Sequence, residues 1–149
     1  MKVSIVCDHA GAGLANILKN EVTKNGCELV PLAPDIVFDD YPDAAEVMAQ
    51  AVISGNTGRG ILVCGSGVGV AVAANKFPGI RAAVCHDCYS AHQGVEHDRM
   101  NILCLGARII GEEPAKEIAG IFFRAQPSVE ERHIRRSEKI DSIEKKYFK

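Results

Sequence analysis

The chain has 149 residues, 47% of them apolar and 24% charged, with a net charge of −2. Length and composition suit one globular domain, residues 1–149, with a core of its own. The charge gives no reason to expect nucleic acid as a partner, and no apolar run approaches the length of a membrane span.

Residues 2–7 read as a first strand. This opening is too short for a signal peptide and leads straight into polar residues, so a cytoplasmic location is the default expectation. Asp8-His9-Ala10-Gly11 stands at the strand's carboxyl end. Leu14, Ile17, Leu18 and Val22 then recur at helical spacing, and Gly26 is placed to end that helix. Residues 27–32 read as a second strand bounded by Pro31 and Pro34, with a loop to Asp40. Pro42 suits a first helical turn, and Ala45, Met48, Ala51 and Val52 carry a helix to about Ser54. Residues 60–64 form a third strand, whose Ile61-Leu62-Val63 run suits burial on both faces. Gly65, Gly67 and Gly69 follow at alternate positions, then a helix to about Lys76. Phe77-Pro78-Gly79 is a turn before a fourth strand over 80–85. A short helix from about Ser90 to Val95 precedes the polar segment Glu96-His97-Asp98-Arg99-Met100, and residues 101–105 form the fifth strand. Gly106-Ala107-Arg108 comes next. Pro114 opens a helix through Phe123. Ser128-Val129-Glu130-Glu131 has the form of a capping box, starting a last helix towards Tyr147.

Strand and helix alternate throughout. The expected fold is therefore α/β: a Rossmann-like three-layer α/β/α sandwich with a five-stranded parallel sheet and a C-terminal helix. The last helix has no strand after it and is polar over much of its surface, so it either packs on the domain edge or reaches to a second subunit.

Polar groups collect just past the strand ends: Asp8 and His9 after the first, Cys64 and Ser66 after the third, Arg108 after the fifth. Carboxyl ends of parallel strands share one edge of the sheet, so these residues can converge although far apart in sequence. A glycine loop leading into a helix offers backbone N–H groups to an anion. A thiol beside such a helix start can act as a base or a nucleophile, which singles out Cys64. Each residue also has an ordinary explanation: Asp8 as a helix cap, His9 and His97 as loop histidines, Cys64 as a core thiol. Arg132 and Arg136 are spaced i, i+4 and share a helix face, an arrangement that suits a dianionic phosphate or a solvated surface. Of the six cysteines, Cys7, Cys27, Cys85 and Cys104 lie in or beside strands and read as small core residues in a reducing compartment. Cys85-His86-Asp87-Cys88 lacks the second ligand pair that a zinc site would want. The Gly65-x-Gly67-x-Gly69 run fits a dinucleotide fingerprint poorly, because it lies in the third strand–helix unit and its third glycine comes too early.

Taken together, these residues resemble the ribose-5-phosphate isomerase type B family, which includes the galactose-6-phosphate isomerase subunits. The matching pieces are Cys7 to Gly11; Asp40-Tyr41-Pro42-Asp43; Ile61 to Gly69 continuing into Ala73 to Ala83; Glu96-His97 with Asn101-Ile102-Leu103; Gly106-Ala107-Arg108; and Arg132-His133 with Arg136. The resemblance spans nearly the whole chain in one register.

It implies an aldose–ketose isomerisation of a phosphosugar that needs neither metal nor organic cofactor. By resemblance, Cys64 is the base and His97 an acid that assists ring opening. Asp8 and His9 contact the sugar, Gly65, Ser66, Gly67, Val68 and Gly69 cradle the enediolate, and Asp98 and Arg108 belong to the ligand site. Arg132 and Arg136 hold the phosphate. The resemblance also implies a homodimer, or a dimer of dimers, with the His97 segment supplied by the partner. Some members use a glutamate a few positions after the cysteine; here that position is Val70, which leaves the role to Cys64. Where members usually carry His-Asn-Asp, this chain has His97-Asp98-Arg99, which bears on the preferred sugar. A carboxylate at Asp98 would repel an enediolate oxygen unless protonated or turned away, as by pairing with Arg99 or Arg108. The segment from Pro31 to Asp39 also departs from the family's usual glycine-containing loop. The competing reading is a non-catalytic module that binds a phosphate ligand such as a nucleotide, in which Cys64 and His97 have no role.

Overall fold

The computed structural model describes residues 1–32 and 37–148. Its strands are β1 (Lys2–Cys7), β2 (Glu28–Leu29), β3 (Arg59–Cys64), β4 (Ala82–Val84) and β5 (Ile102–Gly106). They form one all-parallel sheet in the order β2-β1-β3-β5-β4. The helices are α1 (Ala12–Lys24), α2 (Tyr41–Ile53), α3 (Val68–Ala74), α4 (Cys88–Asp98), α5 (Glu112–Arg124) and α6 (Glu131–Tyr147).

The layers follow from strand periodicity. In β3, Ile61 and Val63 face one core, with Leu103 and Leu105 of β5 beside them and α1, α4 and α5 above. Leu62 and Cys64 face the other, with Ile102 and Cys104, under α2 and α3. Every residue of β3 is buried, as its unbroken apolar run requires. Arg59, at its start, is buried under Phe122 and donates to the carbonyls of Phe122, Phe123 and Ala125, closing the C-terminal end of α5.

Several elements differ from the sequence reading. The second strand is two residues long, not six. Pro31 has no N–H to extend a ladder, and Pro34 lies outside the described residues. The fourth strand spans three residues. The N–H of Arg81 is taken by Asn101 Oδ1 (2.8 Å), and the Asn75 amide pairs with both polar groups of Ala82 (2.8 and 2.9 Å), covering the sheet edge there. The short helix before β5 is longer than expected, because Asp87 caps it by accepting from the Ser90 N–H (2.7 Å). That contact also holds the Asp87 carboxyl below its ordinary range. The Ser128 capping box does not form. The Ser128 N–H donates to the Glu96 carbonyl (2.8 Å), its hydroxyl accepts from the Glu130 N–H (3.1 Å), and α6 starts only at Glu131.

The last helix packs on the domain edge against α4. Arg81 ties it down, donating to the Ser137 hydroxyl (2.6 Å), to Asp141 and to the Asp98 carbonyl (2.7 Å). The Gly79 N–H adds a bond to Glu144 (2.8 Å). No helix among the described residues is long and apolar enough to cross a membrane.

Candidate active site

The carboxyl ends of β1, β3 and β5 meet at a pocket of about 280 Å³. Asp8, Cys64, Gly65, Ser66, Gly69 and Arg108 line it, all of them singled out in the sequence. Tyr41 and Ile109 complete the wall. Tyr41 belongs to a matched segment, and its ring lies against Gly69. A Cβ at Gly69 would come within 2.9 Å of that ring.

Cys64 is only 4% exposed and is the last residue of β3. The Gly67 N–H donates to its Sγ at 3.1 Å, holding the sulfur under the start of α3. That geometry requires Gly67 to be left-handed (φ 79°), which glycine adopts freely. The Ser66 hydroxyl accepts from the Val68 N–H (3.2 Å), so the loop is closed on itself. Val68 is exposed at the first turn of α3.

Asp8 shapes a turn and also lines the pocket. Its side chain accepts from the Gly11 N–H (3.0 Å) and shapes the turn into α1, yet the helix cap itself is Gly11. It is buried and lines the pocket. His9 is exposed beside it, held by its N–H to the Phe38 carbonyl (3.0 Å) and its Nδ1 to the Asp39 carbonyl (3.2 Å). Arg108 packs its guanidinium over Gly65, and its N–H donates to the Gly65 carbonyl (3.0 Å).

The other candidates lie elsewhere. Helix α4 returns from the end of β4 to the start of β5, so His97 and Asp98 fall at the amino edge of the sheet. Roughly 13 Å of strand rise in β5 separates that edge from the Cys64 pocket. His97 is therefore on a helix, not in a polar segment, and one copy of the chain does not bring it to Cys64. The same geometry keeps Asp98 from Arg108, and no ion pair of Asp98 occurs among the described residues. Arg99 is left-handed (φ 56°) and ends α4.

At this amino edge His97 stacks on His133, with ring centroids 3.7 Å apart and planes 13° from parallel. His133 is 4% exposed and neither ring nitrogen has a hydrogen-bond partner. Burial lowers its pKa, with the neighbouring His97 and Arg132 acting in the same direction. Arg132 and Arg136 are exposed on α6, and Arg132 also pairs with Glu130 (2.8 Å). His97 and His133 thus lie at this edge with two exposed guanidiniums, Arg132 and Arg136, on the same helix as His133. The sequence placed His133 in a matched segment without a role; only the stack reveals what it touches.

The remaining thiols behave as packing groups. Burial pushes Cys85 up to about 11 and raises Cys7 and Cys104 likewise, so these stay protonated near neutrality. All six cysteines are free. Among the described residues no three His, Cys, Asp or Glu side chains gather as a metal site would require.

Comparison with known proteins agrees over almost the entire chain. The family model described as Ribose/Galactose Isomerase matches residues 3–140. Ribose-5-phosphate isomerase B of Escherichia coli is 39% identical over 146 residues, 97% of each chain. The D-erythrulose-4-phosphate isomerase of Pectobacterium atrosepticum is 38% identical over 128 residues, covering 85% of this chain and 84% of that one. The structure of Clostridium thermocellum ribose-5-phosphate isomerase B superposes with a TM-score of 0.89 at 42% identity, over 99% of both chains. A family model that takes in all five strands, and relatives alike from end to end, leave one conclusion: the chain belongs to the ribose/galactose isomerase family.

Proposed function

We propose that this protein interconverts ribose 5-phosphate and ribulose 5-phosphate through an enediolate, with Cys64 as the base. The observation that carries the reading is the Cys64 sulfur in the pocket wall, 3.1 Å from the Gly67 amide and under a loop of backbone N–H groups. The sulfur takes the proton from C2 of the open aldose and returns it to C1. The two oxygens between which negative charge spreads then face the Gly65–Gly69 loop, whose fixed dipoles offset it without reorganising. Asp8, His9 and Arg108 hold the sugar from the β1 and β5 sides.

The second half of the site comes from another copy of the chain in this reading. His97 there acts as the acid for ring opening, Arg132 and Arg136 take the phosphate, and Asp98 meets the sugar. Ile109 and Tyr41 of the pocket wall are exposed and apolar, and Val68 and Val72 are exposed on α3, apolar surface that a homodimer would cover. The phosphate is remote from the reacting carbons, so its binding orients the sugar for proton transfer. A small phosphosugar substrate suits a cytoplasmic enzyme.

The test is conversion of ribose 5-phosphate by wild type and Cys64→Ala with EDTA present. A loss of roughly a hundredfold or more is expected. Full activity in the alanine variant removes the proposed base. A second reading, an isomerase of another phosphosugar, is favoured by His97-Asp98-Arg99 standing where the family's usual motif is His-Asn-Asp and by the similarity to an erythrulose-phosphate isomerase. Comparing kcat/KM over four- to six-carbon sugar phosphates decides between the two.

A further inference from the structure

His86 belongs to the Cys85-His86-Asp87-Cys88 segment, which the proposed chemistry leaves unused. Its ring reaches back across the end of the sheet. The Gly106 N–H donates to His86 Nε2 at 2.9 Å. An N–H can donate only to an unprotonated ring nitrogen, so the neutral ring carries its proton on Nδ1.

The position of that bond matters. The chain of β4 leaves the sheet after Val84, and the last backbone rung is the long Cys85 N–H to Cys104 carbonyl contact (3.4 Å). The imidazole supplies the next rung, to the last residue of β5. On the other side of β5, the Ala107 N–H donates to the Cys64 carbonyl (2.8 Å). Gly106 is therefore pinned between the catalytic strand and His86. Ser66 rests directly on it: a Cβ at Gly106 would lie 2.6 Å from the Ser66 carbonyl. Gly67 is seated on the same peptide, since a Cβ there would lie 3.0 Å from the Leu105 carbonyl carbon and 3.2 Å from Gly106 N. The Gly67 N–H is the donor to Cys64 Sγ.

We propose that His86 is a positioning residue for isomerisation: its Nε2 holds the Gly106 peptide as the floor on which the Ser66–Gly67 turn sets the Cys64 sulfur. The proposal rests on Cys64 and its glycine loop being the reacting centre. His86 touches neither substrate nor sulfur.

Two variants separate the hydrogen bond from the bulk. His86→Gln keeps an oxygen acceptor near Gly106, whereas His86→Leu fills the space without one. For His86→Leu, kcat on ribose 5-phosphate falls about tenfold with KM within about twofold, short of the roughly hundred- to thousandfold cost of removing a donor that touches the oxyanion. His86→Gln recovers most of that loss. Nitrogen-15 NMR of the wild-type ring shows the Nδ1–H tautomer, which holds as a test even if His86→Leu fails to fold. Full kcat in His86→Leu, a glutamine variant no better than leucine, or an Nε2–H ring each overturns the proposal. Cys64→Ala, measured alongside, tells the two failures apart. If it is inactive while His86→Leu is fully active, only the role of His86 falls. If it stays active, the reacting centre itself has been misassigned and the proposal falls with it.

Discussion

Gly67→Ala tests the loop at its tightest point. Gly67 has φ 79°, so alanine there carries the left-handed penalty of about 1–2 kcal/mol. Its Cβ would also press to 3.0 Å on the Leu105 carbonyl carbon and 3.2 Å on Gly106 N. Both belong to a central, fully buried strand that cannot give way, so the loop moves instead. That adds about 1 kcal/mol, for a total of about 2–3 kcal/mol. For a chain of this size the Tm falls by about 7 °C. The moving atom is the amide that holds Cys64 Sγ, so kcat drops roughly tenfold or more in the folded enzyme. Gly79→Ala is the control: it has φ 83° but nothing within 4 Å of the added methyl, so only the backbone penalty applies, with kcat unchanged. Thermal melts and initial rates on the two variants give the answer. If Gly67→Ala loses no more stability than Gly79→Ala and keeps its kcat, the loop does not hold the sulfur.

Mixing two variants tests whether the proposed site is shared between two copies of the chain. Cys64→Ala and His97→Ala, unfolded and refolded together, should recover about a quarter of wild-type activity, because half the dimers are mixed and each has one intact site. No recovery means that one chain carries the whole site. Arg59→Met should destabilise by about 3 kcal/mol in urea, since it strips partners from the carbonyls of Phe122, Phe123 and Ala125, while activity per folded molecule stays the same. His133 has a pKa below its ordinary 6.5 in the folded chain. The unfolded chain therefore binds the extra proton first, and stability declines as pH falls below 6.5 until the folded ring also protonates. The ring faces His97, Arg132, Arg136 and Glu130, and the first three oppose its charging. Urea midpoints from about pH 8 to 5 should show a shallower acid decline in His133→Phe than in wild type; equal slopes refute the assignment.

Much of the pocket lining was legible before folding was considered, and for one reason. In a parallel sheet every strand points the same way, so whatever follows β1, β3 and β5 arrives at one edge. Asp8, Cys64, Ser66 and Arg108 met there because of their order along the chain, without knowledge of any contact. The glycine loop was equally local: the left-handed turn at Gly67 is a property of the backbone at that residue.

The other candidate residues needed the tertiary structure. A helix that ends at Val95, as the sequence suggests, leaves His97 outside any element. The Asp87 cap and the Arg99 turn extend α4 to Asp98 and carry His97 to the opposite edge. The stack on His133, the grip of Arg81 on α6 and the reach of His86 to Gly106 all join residues of separate elements. Such contacts depend on how each helix is rotated and seated on its neighbour. Hydrophobic spacing within one element says which face is buried, but not which side chain waits on the other side. Local order along the chain therefore determined which side chains gather at the pocket, and packing between distant elements decided which groups hold them still.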